Sequence, residues 1–422
     1  MNTVQITRRF TESAWGGTET VVLETSRRLQ QLGHKSEIMT TTALDPARLS
    51  SIRGIRVERH PYFYPWLGLG RSDRRRLDEK GGNLFSLSLG RALARRGVDV
   101  IHLHTGKRLG GIVRTVARHK RVPYIVSLHG GWIDVPREEK ERWTPRRSGS
   151  SAPLEWGKVL GLLVGSRRVL KDAAAVLCVN PSEREKIAER LPGQRVEWMP
   201  NGVDSQAFAE GRGEVFRARF GIPDSRRLLM VVGRVDPQKN QQLAVDILAR
   251  LQAGGQPSTE GWHLAMIGPT TDLDYEQSLR ERLDREADLA GRVTWIPGLE
   301  SGSADLVNAY HAADFLLVPS IHEPFGIVVL EAWAAGTPVV ASRVGGLAGL
   351  IRDEVDGLLV SGYSAREWAD RIARLDSAES FRRSLCSTGL SRARNELDWS
   401  QITRRLEALY REVRSAHSAS EP

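Results

Sequence analysis

Short apolar runs bounded by Gly and Pro recur along this chain, and the stretches between them carry helical periodicity. That alternation leaves few folds open. Residues 4–9, 37–41, 55–59, 98–103 and 123–128 read as strands, and 18–32 (stopped by Gly33), 84–96 and 110–119 read as helices. Strands joined by helical crossovers pair in parallel, connect with a right hand and are covered on both faces. Around Pro200-Asn201-Gly202 the rhythm restarts, with strand-like runs at 228–233, 264–267, 293–296 and 315–318 and helical patterns at 238–251 and 275–289. The expected fold class is therefore α/β, two doubly wound parallel-sheet domains in tandem, covering 1–200 and 201–397. In such sheets ligands sit beyond the carboxyl ends of the strands, so a cleft between the domains is the expected site.

Two segments break the rhythm. Residues 60–76, which include Tyr62, Phe63, Tyr64 and Trp66, and residues 131–156 are long, basic and Pro/Gly-punctuated. They read as functional loops or insertions, the aromatic cluster suiting sugar stacking or an interfacial contact, with core packing of a loop lid as the other reading. Residues 154–171 read as an amphipathic helix that either packs or faces a membrane, and 415–422 as a frayed tail.

Of the 422 residues, 40% are hydrophobic, enough for a sizeable core, and no apolar run is long enough to span a bilayer. The N-terminus shows no apolar targeting segment, and Cys178 and Cys386 are too far apart in sequence to suggest a metal site, which reads as cytoplasmic. The net charge of +10 is unevenly spread: residues 1–200 carry 36 Lys and Arg against 20 Asp and Glu, a net of +16, and the rest is net −6. The bases are scattered over helical stretches rather than gathered in a stripe with aromatics, so nucleic acid is not the expected partner. A basic first half favours an anionic substrate, or a lipid-linked one reached by peripheral contact with the inner face of a membrane.

The motifs that carry chemistry lie where strands hand over to helices. In Gly233-Arg234-Val235-Asp236-Pro237-Gln238-Lys239-Asn240, Asp236 reads as an N-cap and Pro237 as the first helical residue, with Arg234 and Lys239 flanking an anion-attracting helix terminus. Further on, Glu323 precedes a helix and Glu331 falls two turns inside it. Carboxylates suit vicinal hydroxyls, and the N–H groups near Gly326, Ile327 and Val328 offer a phosphate seat. Gly16 and Gly17 would let backbone approach a ligand, with Thr18 as cap. His102 and His104 mark one strand end and His129 the next, a position suited to hydrogen bonding a ligand. His-x-His has no third ligand at metal spacing, and Asp272 and Asp274 read as a helix cap rather than a metal pair.

Taken in order, the Gly16-Gly17 pair, His129, Pro200-Asn201-Gly202, the 233–240 motif, the two glutamates eight positions apart and Gly345-Gly346 resemble the retaining glycosyltransferases of family four, which have the GT-B fold. The resemblance implies an N-terminal acceptor-binding domain, a C-terminal nucleotide-sugar domain, and a closing helix over 398–414 that returns to the first. It also implies that Arg234 and Lys239 hold the donor diphosphate, Glu331 the ribose, and Glu323 and His129 the transferred sugar, with Gly16, Gly17, Gly345 and Gly346 near the phosphates. The expected activity is transfer of a hexose-type sugar from a nucleoside diphosphate donor to a hydroxyl acceptor, with retention and with neither metal nor cofactor. Alternatives of the same fold are a phosphorylase or sugar-phosphate synthase, and a non-catalytic sugar-nucleotide binding protein. The side chains of Arg234, Lys239 and Glu331 are not expected in the core.

Overall fold

The computed structural model describes residues 1–130, 154–254, 260–300 and 302–419. The chain divides into two compact units, one formed by residues 1–200 with the chain from Ile402 on, the other by Asn201–Gln401.

The first unit contains β1 (Asn2–Ile6), β2 (Lys35–Thr41), β3 (Leu49–Ile52), β4 (Ile55–His60), β5 (Trp66–Leu67), β6 (Val100–Leu103), β7 (Tyr124–Leu128), β8 (Leu154–Glu155), β9 (Ala175–Cys178) and β10 (Val196–Trp198). Eight of these make one sheet in the order β10-β9-β7-β6-β1-β2-β4-β3. All its pairs are parallel except β3 with β4. That edge hairpin escaped the sequence reading because β3 alternates short polar residues without a hydrophobic run. Its two turn residues, Arg53 and Gly54, have φ of 47° and 85°, the left-handed pair that a two-residue hairpin needs.

The central strands read as continuous apolar runs because both of their faces are covered. On one, Ile101, Leu103, Val126 and Val176 pack with Leu89, Leu93, Leu109 and Val113 of the helices Leu87–Arg95 and Lys107–Lys120. On the other, Val100, Ile125, Ala175 and Leu177 meet Leu406, Leu409, Tyr410 and Val413 of the final helix, Trp399–Ala419.

The second unit holds β11 (Arg227–Val232), β12 (Trp262–Ile267), β13 (Val293–Ile296), β14 (Phe315–Val318), β15 (Val339–Ser342) and β16 (Leu358–Val360), all parallel in the order β13-β12-β11-β14-β15-β16.

In both sheets the strand order reverses beside the first strand, between β1 and β6 and between β11 and β14. There the loops leaving neighbouring strands diverge to opposite faces and open a crevice.

Several expectations are corrected. Residues 154–171 do not form one amphipathic helix. They are split into β8, a short helix Lys158–Leu163 and a 3-10 turn Ser166–Arg168, broken at Gly165, whose φ is 61°. Segment 60–76 is not a structureless loop, since β5 and the helix Arg71–Lys80 are built there. Its aromatics divide between the two readings: Tyr64 is buried and donates to Asp78 at 2.9 Å, whereas Phe63, stacked on Trp156 at 6.3 Å, stays exposed. Of the second long segment, 131–153 lies outside the described residues, as do 420–422 of the tail, while 415–419 continue the last helix. Among the described residues no helix is long and apolar enough to cross a membrane.

Leu406 is 1% exposed on the sheet-facing side of the last helix. Leu406→Ala should cost about 2–5 kcal/mol in urea unfolding, the range for cavity-forming core truncations. A loss below 0.5 kcal/mol, on the order of a surface substitution, would show that the helix does not hold the first sheet.

Candidate functional site

In the second unit the reversal point gathers the loop after β11 and the loop after β14. The first is not a helix start. Asp236 O accepts from Lys239 N at 3.1 Å, closing a turn with Pro237 at its second position, and Asp236 Oδ1 accepts from the same N–H at 3.1 Å. The next helix, Gln241–Ala253, begins only after Asn240, whose φ is 54°. The expected N-cap role of Asp236 is therefore corrected to a turn clasp, which Thr271 reinforces by donating to Asp236 Oδ2 at 3.2 Å. The clasp aims Lys239 across the crevice, where its Nζ meets Glu323 Oε2 at 2.5 Å. Arg234 stays half exposed, 3.3 Å from Asp236 Oδ2.

Glu323 lies four positions before the first residue of the helix Ile327–Ala335, whose N-cap, Gly326, has φ of 98° and which has no side-chain cap. The first N–H groups of that helix, Ile327 and Val328 among them, have no acceptor within the helix and present partial positive charge. Close packing explains Gly345-Gly346: a Cβ on Gly345 would lie 2.5 Å from Glu323 O, and one on Gly346 2.1 Å from Pro324 O. Gly346 N donates to Glu323 O at 2.7 Å. The glycine pair thus braces the segment that carries Glu323.

Glu331 departs from the expectation of a non-core side chain, and Glu323 is buried as well. Glu323 and Glu331 are 8% and 9% exposed. Burial raises the Glu331 carboxyl to about 7, against which Tyr310 donates a hydrogen bond of 2.6 Å. Tyr310 comes from the helix Ala304–Ala312, and nothing in its local spacing marks it as a partner of Glu331. Asp272 caps the helix Leu273–Arg285 by accepting from Tyr275 N at 3.1 Å.

In the first unit, Gly16 is the extended residue before the helix Gly17–Gln31, and no side chain caps that helix, so Thr18 does not play the expected role. Beyond β1, β6 and β7 lies a cavity of about 210 Å³ lined by Arg8, Thr18, Asn83, His104, Lys107 and His129. Sequence reading missed Arg8 and Lys107, which sit in no recognisable motif. Among the described residues neither has a carboxylate within ion-pair distance. Among the described residues the Arg8 guanidinium makes one hydrogen bond, to Leu77 O at 3.3 Å, and the Lys107 ammonium one, to Gly81 O at 3.2 Å. Lys107 also holds φ at 58° where the helix Lys107–Lys120 opens, a conformation that costs a non-glycine residue energy.

The three histidines converge. His129 Nε2 lies 2.8 Å from His104 Nδ1, and His104 Nε2 lies 2.7 Å from Gln5 Oε1. His102 reaches Tyr410 OH at 2.6 Å and Ser127 Oγ at 2.7 Å. Burial lowers His102 to about 3 and His129 to about 4, and His104 well below its ordinary value, so all three rings are neutral near pH 7. Among the described residues no group of three or more His, Cys, Asp or Glu is arranged to hold a metal.

Two sheets, parallel but for the β3–β4 edge pair, with paired charges and a helix terminus at a strand-order reversal fit the GT-B class, and the comparisons identify it as a glycosyltransferase. Residues 15–207 match the model of Glycosyltransferase Family 4, and 213–390 that of Glycosyl transferases group 1. The chain is 30% identical to a D-inositol 3-phosphate glycosyltransferase of Stackebrandtia nassauensis over 90% of this chain and 83% of the relative. It is 32% identical to D-inositol 3-phosphate glycosyltransferase 2 of Catenulispora acidiphila, over 85% and 82%. The chain belongs to this glycosyltransferase family. Among solved structures, sucrose-phosphate synthase from Thermosynechococcus elongatus superposes with a TM-score of 0.70 at 22% identity, covering 98% of this chain and 99% of that one. Anabaena Alr3699/HepE in complex with UDP gives 0.71 at 18%, covering 98% and 100%.

A carboxyl held near 7 binds its proton more tightly when folded than when unfolded, so it weakens the fold as pH rises from about 4.5 to about 7. Glu331→Gln should gain on the native chain by up to about 3 kcal/mol across that window, read as the difference between urea unfolding curves at each end. A difference that does not vary with pH would contradict the burial assigned to Glu331.

Proposed function

We propose that this chain transfers a hexose-type sugar from a nucleoside diphosphate donor to a hydroxyl of a phosphate-bearing acceptor, with retention of anomeric configuration and without a metal. The observation that carries the reading is the Lys239–Glu323 pair set at a strand-order reversal beside an uncapped helix N-terminus. A diphosphate would draw the Lys239 ammonium and Arg234, leaving Glu323 to accept from hydroxyls of the transferred sugar and Glu331 from the ribose. The donor assignment is supported by the bound groups named for Anabaena Alr3699/HepE, UDP and UDP-glucose. The acceptor assignment is supported by Arg8 and Lys107, whose two positive charges suit a dianion, and by the inositol phosphate in the relatives' names.

In the reaction the bond between the anomeric carbon and the diphosphate oxygen breaks, and negative charge develops on the leaving group. Arg234, Lys239 and the first-turn N–H groups of the helix Ile327–Ala335 stabilise that charge, so neither a metal nor a carboxylate nucleophile is needed. The acceptor oxygen bonds to the anomeric carbon on the face being vacated, and its proton passes to the departing diphosphate oxygen. His129 contacts the transferred sugar.

Lys239→Ala alone would leave Glu323 buried without its partner, so the informative variant is Lys239→Ala with Glu323→Gln. Its kcat for transfer from UDP-glucose or another nucleoside diphosphate hexose should fall on the order of 10²–10³-fold, as for loss of a preorganised charge stabiliser. A change in KM alone, with kcat held, would contradict the charge-stabilising role. Activity should survive EDTA; loss restored by manganese would overturn the metal-free reading. For the acceptor, Arg8→Met should raise the KM of a phosphorylated acceptor about tenfold or more and leave donor KM within about twofold, since a charge-assisted hydrogen bond is worth about 1.5–3 kcal/mol. Equal effects on both substrates would argue against an acceptor phosphate at Arg8.

A further inference from the structure

Six side chains of the first unit form one unbranched hydrogen-bonded chain, in the order His129, His104, Gln5, Tyr410, His102, Ser127. Its two ends, His129 and Ser127, line the cavity, whereas Gln5, Tyr410 and His102 are buried away from it. With the three rings neutral, each carries one N–H and one lone pair, so a direction set at one link propagates to every other.

That direction is set at Gln5. Its Oε1 faces His104 Nε2 at 2.7 Å and its Nε2 faces Tyr410 OH at 3.2 Å. An amide oxygen only accepts, so His104 donates from Nε2 and its Nδ1 must accept. His129 therefore donates from Nε2 to His104. On the other side, the Gln5 amide N–H occupies a lone pair of the Tyr410 oxygen, whose proton goes to His102 Nδ1, and His102 then donates from Nε2 to Ser127. Each of the five links then joins one donor to one acceptor, so no link of the buried chain sets two donors or two acceptors against each other. What remains of His129 is Nδ1, with no protein partner among the described residues and with a lone pair rather than a proton.

We infer that Gln5 and Tyr410 are positioning residues that fix His129 as a hydrogen-bond acceptor at Nδ1, so that the cavity selects a ligand hydroxyl able to donate there. The inference deepens the functional reading above and rests on it for the identity of that hydroxyl as one of the transferred sugar. Tyr410 belongs to the final helix, more than 280 residues along the chain from His129, and among the described residues its hydroxyl hydrogen-bonds to Gln5 and His102 only. An effect of that hydroxyl on the cavity must therefore travel along the chain of bonds. Selectivity of this kind is asymmetric: a site built to pair with a hydroxyl rejects an analogue lacking it far more strongly than it favours a better fit.

The test is nitrogen NMR of the full chain labelled with ¹⁵N-histidine, with the His129 resonances assigned by His129→Gln. In the native protein His129 Nδ1 should show the unprotonated, pyridine-type signal and Nε2 the protonated one. Tyr410→Phe releases the Gln5 amide to rotate, so the His129 signals should shift toward a mixture of the two tautomers, and Gln5→Leu should do the same. Far-UV dichroism and the UDP-induced shift in Tm report that each variant still folds and that the donor reading itself holds. With UDP-glucose and singly deoxyfluorinated UDP-glucose donors, the native enzyme should lose about tenfold or more in kcat/KM for the position facing His129, because fluorine cannot donate. Tyr410→Phe should shrink that ratio at least threefold. Rescue is expected in Gln5→Asn only if the shorter amide reaches both partners, so the two variants above carry the decision. A protonated Nδ1 in the native protein, or His129 tautomers unchanged in both variants, would overturn the inference. Failure of UDP to bind, with the tautomers as stated, would instead overturn the donor reading.

Discussion

The parallel sheet imposes one constraint on which the rest of both units depends. Right-handed crossovers let neighbouring strands send their connections to the same face until the strand order reverses, and only at the reversal do two adjacent loops part. Between β11 and β14 that parting places Lys239 opposite Glu323; between β1 and β6 it opens the cavity rimmed by Arg8 and Lys107.

The two sites solve the same electrostatic problem in different ways. In the second unit the cation is held by a carboxylate, and the turn of residues 236–239 and the glycine pair 345–346 keep both side chains in place without ligand. A preorganised pair loses little freedom when charge develops beside it. In the first unit, Arg8 and Lys107 have no carboxylate at pairing distance among the described residues, so their charge remains available to a ligand. The histidines beside them are kept neutral by burial and add hydrogen-bonding capacity rather than charge.

Neutral histidines gain a definite direction only from a group whose donor and acceptor ends differ, and Gln5 supplies it. Tyr410 ties that direction to the helix that closes the first sheet, where Leu406, Leu409 and Val413 bury the adjacent turns. The apolar contacts and the hydrogen-bonded chain thus share one helix: packing fixes where the Tyr410 hydroxyl stands, and the hydroxyl carries order toward the cavity.

The sequence by itself determined the class of fold and nine of the sixteen strands among the described residues, because strands buried on both faces must be apolar along their whole length and helices between them must keep a 3.6-residue period; it passed over β9, β10, β15 and β16 as well as the short β3, β5 and β8. It also marked Arg234, Lys239, Glu323, Glu331, His129 and the glycine pairs, since each lies in a short motif at a strand or helix end. It misplaced the helix start at Pro237, because a proline after an aspartate fits a turn as well as a first helical residue, and only the Lys239 and Asn240 backbone settled which. It joined 154–171 into one helix, where Gly165 in a left-handed conformation breaks the run. Tertiary structure alone decided that Glu331 meets Tyr310, that Lys239 meets Glu323, and that Gln5 and Tyr410, 405 positions apart, share a proton chain. Such pairs leave no local trace, because a hydrogen bond between distant segments constrains the position of each in space and not its spacing along the chain.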